Sequence, residues 1–305
     1  MSNFVMNRTK FWARKSREDK IFDVLNLFLL SGLMLVVLYP LYFVVIASIS
    51  NPDYVYNGEV WLWPKEITFE GYQRIFQDGR IWTGYKNTIV YTVVGTFVNV
   101  ALTLMAAYAL SRKDLAGRNF FMFMFLFTMF FSGGLIPTYL VVKNLGLVNT
   151  MWALILPKAV AVWNLIVAKT FFQSTIPDEL LESAQMDGCS NTKFFFKIVL
   201  PLSKPIVAVM VLFYAVTHWN SFFDALIYLN DEELYPLQLV LRSILIQNEA
   251  SASMLGDVES FAAQQRIADL IKYGVIIVAA VPLLILYPFI QKYFVKGAMI
   301  GSIKG

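Results

Sequence analysis

The chain has a single cysteine, Cys189, and a single histidine, His218. The first excludes a disulfide within the chain and any multi-cysteine metal site, and the second makes a histidine-rich metal centre implausible. Charge is scarce too: 15% of the 305 residues are acidic or basic, with a net charge of +4. A soluble domain of this length needs far more polar residues to cover its surface. So modest a basic excess gives no reason to expect nucleic acid as a partner. Also missing is a G-x-x-x-x-G-K-[ST] phosphate loop, so any work drawn from ATP must come from a separate polypeptide. No cluster of paired acids, metal ligands or nucleophile with base stands out. The expectation is no catalytic residue, no metal and no enzyme.

What is present is apolar. Hydrophobic residues make up 58% of the chain, and the mean hydropathy is +0.59. Crossing about 30 Å of hydrocarbon takes roughly 20 apolar residues in a helix. Six runs of that kind fall near residues 24–48, 88–111, 120–142, 151–172, 206–229 and 270–294. The expected class is an all-α integral membrane protein of six transmembrane helices. The first run follows some twenty hydrophilic residues and lacks a small-x-small cleavage site, so it reads as a retained span rather than a signal peptide. With no internal repeat or low-complexity stretch, residues 1–305 read as one transmembrane domain, with an N-terminal arm at 1–20 and a polar loop at 173–204.

Lysine and arginine set the expected orientation. Fifteen lie in the arm, the loop after the second run, the 173–204 loop and the tail, against seven in the longer segments opposite. Both termini and the 173–204 loop are therefore expected in the cytoplasm. Residues 50–87, with Trp61, Trp63 and Trp82, read as a folded segment at the bilayer interface. Within 230–267, Leu237, Val240, Leu241, Ile244 and Leu245 recur at helical spacing. They predict a short amphipathic helix lying on the membrane or against a partner.

The polar interruption ESAQMDGCSNTKFFFKIVLP, Glu182 to Pro201, is out of character with its surroundings. Ile176-Pro177-Asp178-Glu179 reads as a helix start, with acidic groups favourable to the helix dipole. Asp187-Gly188 ends that helix near Met186. Ser190, Asn191 or Thr192 caps a second short helix that Pro201 is expected to stop. Two short helices at an angle form a rigid elbow, suited to passing force to a soluble partner. An ordinary loop is the plain alternative.

These residues carry a resemblance. Glu182-Ser183-Ala184, then Gly188, Ile198 and Leu200-Pro201, spaced as they stand, resemble the EAA loop of bacterial ABC importer permeases, with Glu179 and Asp187 fitting as well. Ser183 and Cys189 stand where alanine is usual, both mild changes. Tyr39-Pro40, the FSGGLIPTY stretch at 131–139, Leu145-Gly146-Leu147 and Trp219-Asn220-Ser221-Phe222 extend the likeness over nearly the whole chain. They are similar to the MalG-like carbohydrate-uptake family, and to its LplC/YtcP-like branch in particular. The resemblance implies a type I permease fold with a cytoplasmic coupling helix, in a bacterial plasma membrane. It implies a second homologous permease, two ATPase subunits that bind ATP and Mg, an extracytoplasmic solute-binding protein and an oligosaccharide cargo, which for pectin- or alginate-like sugars is acidic. Glu182 would contact the ATPase, Gly188 would set the turn, and Ile198 with Leu200 would anchor the elbow to the spans.

Polar groups inside spans usually face the bundle interior or a water-filled cavity. Trp163 with Asn164, and Trp219 with Asn220, each set an aromatic face beside an amide, which suits passing contacts with sugar rings and hydroxyls. Interface anchoring for the tryptophans and helix–helix bonding for the amides are equally ordinary roles. Lys158 can meet an acidic sugar, pair with Asp224, or reach the interface. His218 reads as a helix-contact residue and Cys189 as a small filler at the turn. Gly133-Gly134 and Pro137 mark either a gating bend or close packing against a second permease. A permease for amino acids or peptides shares the EAA loop. A stand-alone secondary transporter usually shows repeats or several intramembrane carboxylates, and here Asp224 is the one candidate.

Overall fold

The computed structural model describes residues 16–253, 266, 268, 270–285 and 288. Most of the N-terminal arm and, beyond residue 285, all of the sixth run but residue 288 lie outside those residues. Among the described residues the only β pairing is an isolated bridge between Ser50 and Ile67. The first helix, α1 (Arg17–Ser48), is capped by Ser16, whose hydroxyl accepts from the Asp19 N–H at 3.1 Å. At about 1.5 Å per residue its 32 residues exceed the hydrocarbon thickness. Its side chains from Leu25 to Leu38 are exposed, and only Ile46 to Ser48 are buried.

The 50–87 segment folds compactly on the far end of α1. It carries α2 (Pro52–Tyr56) and α3 (Glu70–Gln77). Tyr39 donates to the Trp61 carbonyl at 3.3 Å and Tyr42 to that of Leu62. Trp61, Trp63 and Trp82 remain exposed, as amphipathic rings at an interface should be.

The hub of the bundle is α4 (Gly79–Ser111), against which the helices Val162–Thr175, Lys204–Trp219 and Leu237–Ser253 pack. Lipid tails give apolar helices no hydrophobic reason to associate, so close approach and polar contacts must hold them together. The inward row of α4 has that character: Thr88, Gly95, Thr96, Asn99 and Thr103 are all buried. A Cβ on Gly95 would sit 2.5 Å from His218 Nε2, so the imidazole fills the space that this glycine leaves. Asn99 Nδ2 lies 3.0 Å from His218 Nε2, and the Thr103 and Tyr214 hydroxyls are 2.6 Å apart. The helix-contact role expected of His218 is what the structure shows.

The third run is not one continuous span. Helices α5 (Arg118–Phe130) and α6 (Leu135–Asn144) meet at a 118° bend. Gly134 takes φ +89°, a region closed to most side chains, and its N–H bonds Ser132 Oγ at 3.0 Å. The phenylalanines of α5 are largely exposed, as bulk facing lipid or a partner should be. The fourth run is α7 (Trp152–Ile155), extended in 3-10 form through Lys158, and α8 (Val162–Thr175), bent by 54°.

Between the fourth and fifth runs lie α9 (Asp178–Met186) and α10 (Asn191–Leu202), the elbow. Ser190 is the cap of α10, its hydroxyl accepting from the Lys193 N–H. Pro201 falls in the last turn of this helix, after a π-helical stretch at Phe195–Val199, and the helix ends at Leu202 as expected; the chain then turns by 84° at buried Ser203. The fifth run is likewise shorter than expected: α11 (Lys204–Trp219) ends before Asn220, and α12 (Phe223–Tyr228) follows as a separate turn.

The amphipathic helix of the 230–267 segment, α13 (Leu237–Ser253), turns its apolar stripe toward the rest of the chain. Leu237, Val240, Leu241 and Ile244 are buried against Ile81 of α4 and Ile271, Val275 and Val278 of the last described helix, α14 (Leu270–Ile285). Periodicity marks a face to be covered, and here the same chain covers it.

Because α4 and α11 meet through Gly95, Gly95→Val should lower the stability of the solubilised protein by about 1–3 kcal/mol, the usual cost of overpacking. Gly32→Val, where nothing lies within 4 Å, should leave the melting temperature unchanged, and thermal melts of the two variants check this.

Candidate functional site, an elbow and a membrane cavity

Local chemistry shapes the elbow. α9 starts after Pro177 with Asp178 and Glu179 in its first turn. Gly188 then takes φ +71°, with nothing within 4 Å of where a Cβ would project. The Cys189 N–H bonds the Ala184 carbonyl at 2.9 Å, closing the turn. Glu179, Glu182, Ser183, Asp187, Gly188 and Pro201 are exposed, whereas Ala184 is buried. Ile198 and Leu200 pack on the core formed by α4, α8 and α11, beside buried Phe194, Phe195 and Val199. The elbow thus shows a polar outer face and is bolted inward by apolar side chains.

A second set of contacts, unread in the sequence, ties it to the end of α4. Arg112 is bonded to the Asp114 carboxylate, and its Nη1 donates to the Tyr108 hydroxyl at 3.0 Å and to Asn191 Oδ1 at 3.1 Å. Lys113 Nζ lies 2.6 Å from Asp178 Oδ2. The Arg112 guanidinium, through its hydrogen bonds, holds the Asp114 carboxyl below the usual carboxylate range, and Asp178 raises the Lys113 ammonium. Tyr108 completes the joint by packing its ring 5.0 Å from that of Phe195. A cleft of about 470 Å³ opens here, lined by Arg112, Lys113, Asp178 and Glu182 among others. Among the described residues no cluster of side chains suits a metal ion.

The other site lies deeper, where the breaks in the fourth and fifth runs face each other. A cavity of about 580 Å³ is lined by Lys158, Asn164, Asn220 and Asp224, together with Asn99, Thr128, Tyr214, Thr217, His218 and Ser221. Lys158 Nζ lies 2.9 Å from Asp224 Oδ1 and 2.7 Å from Oδ2. Asn164 is buried. Asn220 terminates α11, its amide donating to the Val216 carbonyl at 2.9 Å. Asn99 Oδ1 is buried, with no hydrogen-bond partner among the described residues.

The family model described as "Binding-protein-dependent transport system inner membrane component" matches residues 81–300. The chain belongs to this family. The permease is 45% identical over 289 residues to the polygalacturonan/rhamnogalacturonan transport system permease protein YtcP of Bacillus subtilis, covering 94% of this chain and all of that one. It is 42% identical to Protein LplC of the same organism, over 95% of this chain and 97% of the relative. A chain from the crystal structure of a bacterial ABC transporter involved in the import of the acidic polysaccharide alginate superposes with a TM-score of 0.81 at 34% identity, over 92% of this chain and 99% of that one. The permease is thus a membrane component of a multi-part transport system, with the type I ABC permease fold.

Of the pathway residues expected from sequence, the structure brings Lys158, Asn164 and Asn220 of the permease together at the cavity. It leaves the two tryptophans elsewhere. Trp163 is exposed outside the cavity lining, and Trp219 is buried against α13 and α14 with its indole N–H donating to the Ala279 carbonyl at 3.0 Å. The sequence reading passed over Asn99, Tyr214 and Arg112. A polar row recurring every three or four residues along α4 was the available signal for Asn99. Asn220→Leu should cut substrate uptake about tenfold, the scale of one lost hydrogen bond in a transfer step, with normal assembly. Unchanged uptake would remove Asn220 from the path.

Proposed function

We propose that this permease is one of two homologous membrane subunits that line the path by which an oligosaccharide, acidic in character, enters a bacterial cell across the plasma membrane. An extracytoplasmic binding protein delivers the cargo. Two separate ATPase subunits bind ATP and Mg and dock on the elbow, so this chain holds no cofactor and catalyses no reaction. Residues 1–305 act as one permease domain with both termini in the cytoplasm, an orientation supported by fifteen lysines and arginines on the elbow side against seven opposite.

The observation that carries the reading is the elbow itself. Its outward face, Glu179, Glu182, Ser183, Asp187 and Gly188, is exposed, while Ile198, Leu200 and the Arg112 and Lys113 contacts make it move with the spans. A surface bolted on one side and bare on the other suits the transmission of force from a partner. Pro201 contributes by ending α10 just before the 84° turn into α11. The exposed apolar faces of α1 and α5 are left for lipid and for the sister permease. Saccharides named in the systems of YtcP and of the solved alginate transporter support a sugar cargo over amino acids or peptides, and the Lys158–Asp224, Asn164 and Asn220 lining offers it polar contacts.

Gly188→Trp tests the docking role. A Cβ on Gly188 would meet nothing within 4 Å, so the cost of the substitution at φ +71° is chiefly backbone strain, about 1–2 kcal/mol, too little to unfold the bundle. The variant should reach the membrane, fail to stimulate ATP hydrolysis in the assembled system and abolish uptake. Normal ATPase coupling in that variant would rule out docking at the turn.

A further inference from the structure

The cavity holds two charged side chains among its lining residues, Lys158 and Asp224, and they face each other across the breaks in the fourth and fifth runs. Their situations differ. The Asp224 side chain is 22% exposed and sits in the first turn of α12, whereas that of Lys158 is 64% exposed. Lysine carries a compact charge on a flexible four-carbon stem, and an ion pair this open to water binds its partners weakly. The fixed carboxylate is therefore a resting place and the ammonium a movable group.

We infer that Lys158 is the anion-reading group of the transport path, taking the carboxylate of a uronic acid unit in exchange for Asp224. This rests on the sugar-import reading above and deepens it by naming the substrate class and the residue that reads it. An ammonium among the spans with no counter-charge carries a cost when the path is empty, which a nearby carboxylate offsets. Conduction needs binding favourable enough to admit a solute and weak enough to release it. Asp224 meets both requirements. It neutralises Lys158 between cargoes, then competes for the ammonium and expels the carboxylate. The neighbouring Asn99, whose Oδ1 has no partner among the described residues, and Asn220 offer acceptors and donors to ring hydroxyls beside the acidic group. At about 580 Å³ the cavity is within the range of about 300–1,000 Å³ usual for small-molecule sites.

A merely structural ion pair makes a different prediction, which a double-mutant comparison separates. Wild type, Lys158→Gln, Asp224→Asn and the double variant would be assembled with the sister permease, ATPases and binding protein in proteoliposomes. Uptake of a uronate trisaccharide would be measured at equal amounts of complex. The subsite predicts that Lys158→Gln lowers maximal uptake at least about tenfold. The double variant should stay equally low, and Lys158→Arg should recover part of the rate. Asp224→Asn should slow turnover because the sugar is released late. A structural pair predicts that the two single variants are alike and that the double variant, with no charge left unpaired, recovers. Recovery in the double variant, or wild-type rates in Lys158→Gln, overturns the proposal. No uptake of any oligosaccharide by wild type would instead overturn the import reading on which it stands.

Discussion

The structure depends on how α4 is held. In a bilayer, apolar surfaces on neighbouring helices gain nothing by meeting that they do not already have from lipid. What remains is close approach and hydrogen bonding, and α4 supplies both along one row. Gly95 lets the His218 ring of α11 come within touching distance, Asn99 bonds that ring, and Thr103 bonds Tyr214. Tyr214 in turn accepts the Ala161 N–H at 3.0 Å, just where the fourth run is broken. The same polar row that fixes the bundle thus also fixes the breaks that open the cavity.

That row links the two candidate sites. The elbow grips the Ser111 end of α4 through Tyr108, Arg112 and Lys113, while the cavity floor includes Asn99 of the same helix. A single stiff element therefore touches both the place where force would arrive and the place where cargo would pass. Such an arrangement asks for no long chain of intermediaries, because displacement of one end of a helix displaces the other. The apolar sides of α1 and α5 carry none of this polar chemistry, and their exposure fits surfaces that only lipid or another subunit need cover.

The elbow was legible in the sequence because its signals are local. Pro177 with two acids, Asp187-Gly188 and a capping serine each act within a turn, and α9 ends at Met186 where they say it should. The charged pairing of Lys158 with Asp224 was also foreseeable, since both had to find a partner inside a membrane. Less local questions were not legible. Gly133-Gly134 permits a sharp bend but does not dictate 118°. Pro201 marks where α10 ends, at Leu202, but says nothing of the 84° turn that follows at Ser203. The stripe on α13 announced a buried face without saying what would bury it. Whether a tryptophan faces a cavity or a neighbouring helix depends on the rotation of its helix, and Trp163 and Trp219 show how far two similar Trp-Asn pairs can differ.

The central claim is that the elbow lies beneath the membrane and is covered by an external motor. Cys189, the chain's only cysteine, reports on it without any substitution, since it sits in the turn beside Gly188. Labelling with a membrane-impermeant maleimide should proceed in inside-out vesicles, fail in right-side-out vesicles, and be suppressed when the ATPase subunits are added back. Labelling from the outer face, or labelling that the ATPase leaves unchanged, would contradict the account.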